Sequence, residues 1–100
     1  MKMYAIRRKQ AWSGPEELEA AAARSKEVAA SEFPQDIRWI RSYVIAEPDG
    51  TLGSVCIYEA SSPEAIREHA ARVGMPADEI HEVAETVVIR PDPVPETASA

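Results

Sequence analysis

Between Val55 and Val83 the pattern of apolar and polar positions switches from a strand period to a helix period and back. Val55-Cys56-Ile57-Tyr58 is a short apolar and aromatic run of the kind a half-buried sheet requires. Ser61-Ser62-Pro63-Glu64 then predicts a helix start: a serine to accept an orphan backbone N–H, proline near the first helical position, and Glu64 and Glu68 beside the positive end of the dipole. Ala65, Ile66, His69, Ala70 and Val73 recur at helical spacing on one stripe, and Gly74 followed by Pro76 stops the helix. Upstream, Met3 to Arg8 alternates, with Tyr4, Ile6 and Arg8 on one side and Met3, Ala5 and Arg7 on the other, which suits a first strand without clearly polarised faces. A second helix start is predicted at Ser13-Gly14-Pro15-Glu16-Glu17. It leads into a stripe of mostly small residues, Leu18, Ala21, Ala22, Ser25, Val28 and Ala29, that ends at Pro34. Ile37 to Ala46 is β-prone, and Glu47-Pro48-Asp49-Gly50-Thr51 has the turn chemistry to fold it back as a hairpin onto the strand through Cys56. A last strand is expected within Glu79 to Ile89, where Val83, Thr86, Val87, Val88 and Ile89 are β-branched.

The order of elements is βαββαβ. That order predicts a ferredoxin-like α+β domain over residues 1–90: an antiparallel four-stranded sheet with both helices on one face. Pro91, Pro93 and Pro95, with the small and polar residues around them, predict a disordered tail over 91–100. One sheet face is left open, and pairing of two such faces would give a homodimer, a dimeric α+β barrel.

Hydrophobicity sets an expected register for the hairpin. With Val44 opposite Val55 and Ser42 opposite Ile57, the residues Ile40, Val44, Val55 and Ile57 would point at the helices. Trp39, Arg41, Tyr43, Cys56 and Tyr58 would then share the open face. An aromatic group around one arginine and one thiol suits a ligand cleft. Trp, Tyr and Arg are equally the residues of an interface, so a dimer contact is the favoured reading of the same cluster.

The runs C-I-Y-E-A, P-E-A-I-R-E-H-A and G-M-P-A-D-E-I-H-E-V resemble the signature of a family catalogued as a domain of unknown function, DUF4242, whose better-described members are small nickel-binding proteins of ferredoxin-like fold. The resemblance implies a nickel (Ni2+) protein. His69, in the R-E-H-A segment, is the first ligand candidate, followed by His81, with Glu59 and Glu85, or Glu68 and Glu82, to complete the shell. The family's metal-binding members carry more histidine around the first helix and second strand, where this chain has Ala22 and Arg38. A site shared between two copies would double the donors. The residues alone show no His-x-x-x-His, no cysteine pair and no calcium loop.

Charge and composition narrow the remaining classes. With 17 acidic against 11 basic residues and a net charge of -6, the chain is repelled by phosphate backbones, so no nucleic-acid partner is expected. The cluster Arg7-Arg8-Lys9 reads as an exposed strand end whose charges discourage edge pairing. Cys56 is the only cysteine, which excludes an intrachain disulfide and fits a cytoplasmic protein. No apolar run is long enough for a bilayer span, and MKMYAIRRKQ lacks a signal peptide's apolar segment, so a soluble, unprocessed chain without a membrane partner is expected. Catalysis is the less favoured reading, since Cys56 in an apolar strand is more often inert than nucleophilic. The alternative to a metal protein is a dimeric small-molecule binder or cofactor-free enzyme using the Arg41 cleft, and a pure interaction module is the third reading.

Overall fold

The structure, a computed structural model, describes residues 1–94. Its elements are β1 (Lys2–Trp12), α1 (Pro15–Glu32), β2 (Ile37–Ala46), β3 (Leu52–Ala60), α2 (Pro63–Val73) and β4 (Glu79–Glu82). The strands form one antiparallel sheet in the order β2-β3-β1-β4, the ferredoxin-like arrangement expected from the βαββαβ order. Of the expected tail, residues 95–100 lie outside the described residues. Within 91–94, Asp92 accepts hydrogen bonds from Tyr43 Oη at 2.8 Å and Arg41 Nη1 at 3.2 Å.

Local chemistry sets both helices. Ser62 caps α2 by accepting the Ala65 N–H at 3.1 Å, Pro63 opens it, and Gly74 closes it at φ 83, where its N–H reaches the Ala70 carbonyl at 2.9 Å. The expected stripe Ile66, His69, Ala70 and Val73 is buried. In α1, Gly14 is the N-cap and makes no side-chain cap, while Glu17 reaches back to accept the Ser13 N–H at 3.2 Å. Ala21 and Ser25 are its buried residues. Both helices cover the sheet face that carries Tyr4, Ile6, Cys56 and Tyr58, and the core closes over them with Phe33 and Ile66.

Three expectations are corrected by the strands. The hairpin register is shifted by one residue: Val44 opposes Ser54, Ser42 opposes Cys56 and Tyr43 opposes Val55. The cause is the turn, which Glu47 N–H to Thr51 O and Gly50 N–H to Glu47 O close with Gly50 at φ 90, leaving Ala46 opposite Leu52. Secondly, an irregularity between Trp39 and Arg41 makes Ile40 an extra residue, so it is exposed and does not face the helices. Val55 and Ile57 lie on the open face, because their neighbours Ser54, Cys56 and Tyr58 are the buried ones, and of the four residues expected to face the helices only Val44 does so. Thirdly, β4 ends at Glu82. Since Tyr4 opposes Glu82 and Val83 N–H still reaches Met3 O, β1 has almost no chain left to pair with the residues beyond Val83, and Val87, Val88 and Ile89 are exposed.

Candidate functional site

The five residues expected to form one cleft are divided between the two faces of the sheet. Trp39, Cys56 and Tyr58 line a cavity of about 250 Å³ between the sheet and α1. That space exists because α1 presents Ala21, Ala22 and Ser25 to Ser54 and Cys56, small residues against small residues. A polar chain runs along one wall. Trp39 Nε1–H donates to Ser42 Oγ at 2.8 Å, Ser42 donates to Cys56 Sγ at 3.0 Å, and Ser54 Oγ lies 3.3 Å from the same sulfur. The thiol is thus engaged by two serines, and neither imidazole is among its hydrogen-bond partners. At the inner end, Tyr58 Oη lies 3.3 Å from both Ser25 Oγ and Arg8 Nη2. Burial pushes the Tyr58 phenol up, so it stays neutral. Arg8 is fully buried, which corrects its reading as part of an exposed basic strand end. Its alternation with Tyr4 and Ile6 held the signal that places it inside.

Arg41 and Tyr43 are on the opposite face, at the β2 edge, and are held there by Asp92. They do not meet Cys56 or Tyr58, because the one-residue shift and the extra Ile40 reverse the relation between the two halves of the set. Across the open face one row of partners runs Arg41, Ile57, Ala5, His81, and the next runs Tyr43, Val55, Arg7, Glu79. Arg7 makes a two-pronged pair with Glu47 at 3.0 and 3.1 Å above Gly53, and Glu47 also accepts the N–H of Gln10, which stands at φ 47 where β1 is irregular.

The histidines are likewise separated. His69 is wholly buried with its ring edge-on to Phe33 and to Tyr58, both at 5.8 Å between centroids. Its Nε2–H donates to the Ser25 carbonyl at 3.1 Å, which leaves Nδ1 as the unprotonated nitrogen, without a hydrogen-bond partner among the described residues. Burial pushes this imidazole below its usual range. A core imidazole in that setting is closed to an ion arriving from solvent. His81 is exposed on the open face, and its Nε2 lies 2.9 Å from Glu79 Oε1. Hydrogen bonds from His81, then from Lys9, hold the Glu79 carboxyl down at about 2. The spacing Glu79-Ile80-His81 could have given this pair from sequence, since residues two apart on a strand share a face. Glu59 lies on the open face beside Arg38, Glu82 pairs with Lys2, and Glu68 and Glu85 are exposed. Among the described residues no three His, Cys, Asp or Glu side chains converge as a metal would require, so one chain offers at most the two-donor pair His81 and Glu79. No helix of the described residues is long and apolar enough to cross a membrane.

Comparison with known proteins agrees with this architecture. The crystal structure of SCO4226 from Streptomyces coelicolor A3(2) matches with a TM-score of 0.65 at 24% identity, over 85% of this chain and 99% of that one, which shows a shared fold. No curated protein matches the sequence. A family profile described as nickel responsive protein SCO4226-like matches residues 4–83, and this description stands where the domain-of-unknown-function label was expected. The chain therefore belongs to the SCO4226-like family of nickel responsive proteins.

Proposed function

We propose that this protein is a small nickel-binding protein that works as a homodimer, with the ion taken up on the open sheet face by His81 and Glu79. The observation that carries the reading is that pair: an exposed imidazole and an ionised carboxylate 2.9 Å apart on neighbouring rows of the same face. Imidazole nitrogen with carboxylate oxygen is a donor set that suits divalent nickel. The family description supplies the choice of ion.

Two donors do not fill a nickel shell. A second copy laid against the same face brings a second His81 and Glu79, while Glu59 and Glu85 remain as further carboxylates. Val55 and Ile57, half-buried at the centre of that face, supply apolar area for such a pairing. His69 has no part in this reading, because reaching it requires opening the core. Lys9, which holds Glu79 Oε2 at 2.8 Å, is the group the ion must displace.

The test is calorimetric titration of the tag-free protein with Ni²⁺ and separately Zn²⁺, beside His81→Ala and His69→Leu, with the mass in solution measured at matching concentrations. The expected result is micromolar or tighter nickel binding by a dimer, weakened by about tenfold or more in His81→Ala and retained in His69→Leu. Nickel binding that survives His81→Ala, or no binding to the natural sequence, would overturn the assignment.

A further inference from the structure

The cavity of about 250 Å³ between the sheet and α1 has polar and apolar residues around it, yet almost no polar atom reaches its surface. The polar side chains spend their hydrogen bonds on partners within the protein. Arg8 is wholly covered, with Nη1 donating to the Pro76 carbonyl and Nη2 to the Tyr58 hydroxyl. Ser25 Oγ lies against Tyr58 Oη, Ser42 Oγ accepts the Trp39 N–H and donates to Cys56 Sγ, and Ser54 Oγ lies against the same sulfur. Among the described residues, the buried side-chain polar atom left without a hydrogen-bond partner is His69 Nδ1, and His69 does not line this space.

What faces the space is hydrocarbon, from Trp12, Leu18, Ala21, Ala22, Trp39 and Met75 among others. A water held inside a protein needs about two to four polar partners, which these walls do not offer. An ion would meet the same lack and lose its hydration as well. The space itself is written in the sequence: α1 turns Ala21, Ala22 and Ser25 toward Ser54 and Cys56, where larger side chains would have closed the gap. Left unfilled, it forfeits packing that is a large share of the net stability of a 100-residue domain. Apolar cavities of about 150 Å³ stay dry and take up benzene. At about 250 Å³ this one has room for a substituted benzene or two fused rings. The exposed residues Glu19 and Val44 stand at its mouth, so an occupant enters from solvent without opening the core, and the Glu19 carboxylate there repels anions.

We propose that this cavity is a binding site for a small, neutral, largely hydrocarbon molecule of one substituted ring or two fused rings, held between α1 and the two tryptophans by contact and exclusion from water. Selection is by size and by the absence of charge, since a charged group carried inside gives up its water and meets no free partner. The occupant supplies the packing that the small residues of α1 withhold. The site lies on the helix side of the sheet, opposite His81, and does not depend on the metal reading.

Trp12 and Trp39 are the only tryptophans of the chain and both line the cavity, so their indole N–H signals in proton–nitrogen correlation spectra report occupancy directly. The full chain is titrated with p-xylene and with p-toluate, in which a carboxylate replaces one methyl. Saturable shifts of both indole signals and a raised Tm are expected with p-xylene, and affinity for p-toluate about tenfold or more weaker. Ala22→Leu fills the space from α1, and Ala22→Met does so with a more flexible side chain; each is checked for folding by its own thermal transition. In the folded variants the p-xylene shifts should be lost and the Tm should no longer respond to p-xylene. The inference is overturned if p-xylene gives no saturable shift in the natural sequence up to its solubility limit, if p-toluate binds as tightly, or if p-xylene binds a folded filled variant as it binds the natural sequence.

Discussion

His69 is the residue at which the sequence resemblance and the structure make opposite demands, and two substitutions separate them. Truncation in His69→Ala removes a fully buried ring packed edge-on against Phe33 and Tyr58. Losses of this type run at about 2–4 kcal/mol for the packing and the cavity, with about 1 kcal/mol more for the bond from Nε2–H to Ser25 O. Release of the unpartnered Nδ1 offsets about 1 kcal/mol of that, leaving a net loss of about 3 kcal/mol. His69→Leu keeps the space filled and removes the buried nitrogen. The Ser25 carbonyl it abandons lies in the interior of α1 and keeps its place in the helical ladder, so this variant should stay within about 1 kcal/mol of the natural sequence.

The pH dependence gives a second, independent handle on the same residue. Burial depresses the His69 imidazole below its ordinary 6.5 in the folded protein, so on acidification the unfolded chain takes up the proton first. The stability this contributes is fully present above the unfolded value and is lost as pH falls below it, with a slope of at most about 1.4 kcal/mol per pH unit. Urea unfolding at about pH 7.5 and about pH 5.5 should show a loss of stability on the acid side that His69→Leu abolishes. Damage from His69→Leu equal to that from His69→Ala, or acid sensitivity in His69→Leu equal to that of the natural protein, would refute this account of the core.

Two further outcomes rest on the packing. Tyr58→Phe retains the ring but strands Arg8 Nη2 and Ser25 Oγ in apolar surroundings, so thermal or urea unfolding should show a loss of about 1.5–3 kcal/mol, and the double variant with Ser25→Ala should lose less than the sum; strict additivity would count against a connected network. In Gly53→Ala the new Cβ meets Glu47 Oε2 and stands 2.5 Å from the Arg8 carbonyl, a backbone atom that cannot swing away, so equilibrium unfolding should register a loss of about 2–3 kcal/mol; full tolerance would mean the Arg7–Glu47 cover over β3 is not formed in solution.

What the sequence carries plainly is what local chemistry decides. Ser62, Pro63 and Gly74 mark the ends of α2 because capping and left-handed closure involve only neighbours within one turn. Pro34 marks the end of α1 for the same reason. The hairpin register escapes because it depends on how a five-residue turn closes and on the extra residue Ile40, both of which are invisible to a count of apolar positions. Valine and isoleucine at 55 and 57 look more like core than a serine, a cysteine and a tyrosine do. The buried side wins Cys56 and Tyr58 only because Ser25, Ser42 and Arg8 satisfy their polar atoms there. The end of β4 escapes too, since Val87 to Ile89 have every local property of a strand and lack only a partner in β1.

The division of the candidate set between the two faces makes its two chemistries separable. β1 sends Tyr4, Ile6 and Arg8 to the helix side and Ala5 and Arg7 to the open side, so it is a wall between the buried guanidinium and the exposed His81. His81 and the cavity share no contact residue, and substitutions so placed act additively. His69 belongs to the helix side: it holds Ser25 through its carbonyl and leans on Tyr58, the two residues that flank the hydroxyl facing Arg8. A loss of metal binding in His69→Ala would therefore be ambiguous, because the same change loosens the cavity floor and the core around it. His81→Ala, an exposed change on the opposite face, leaves that core intact and tests the metal reading by itself.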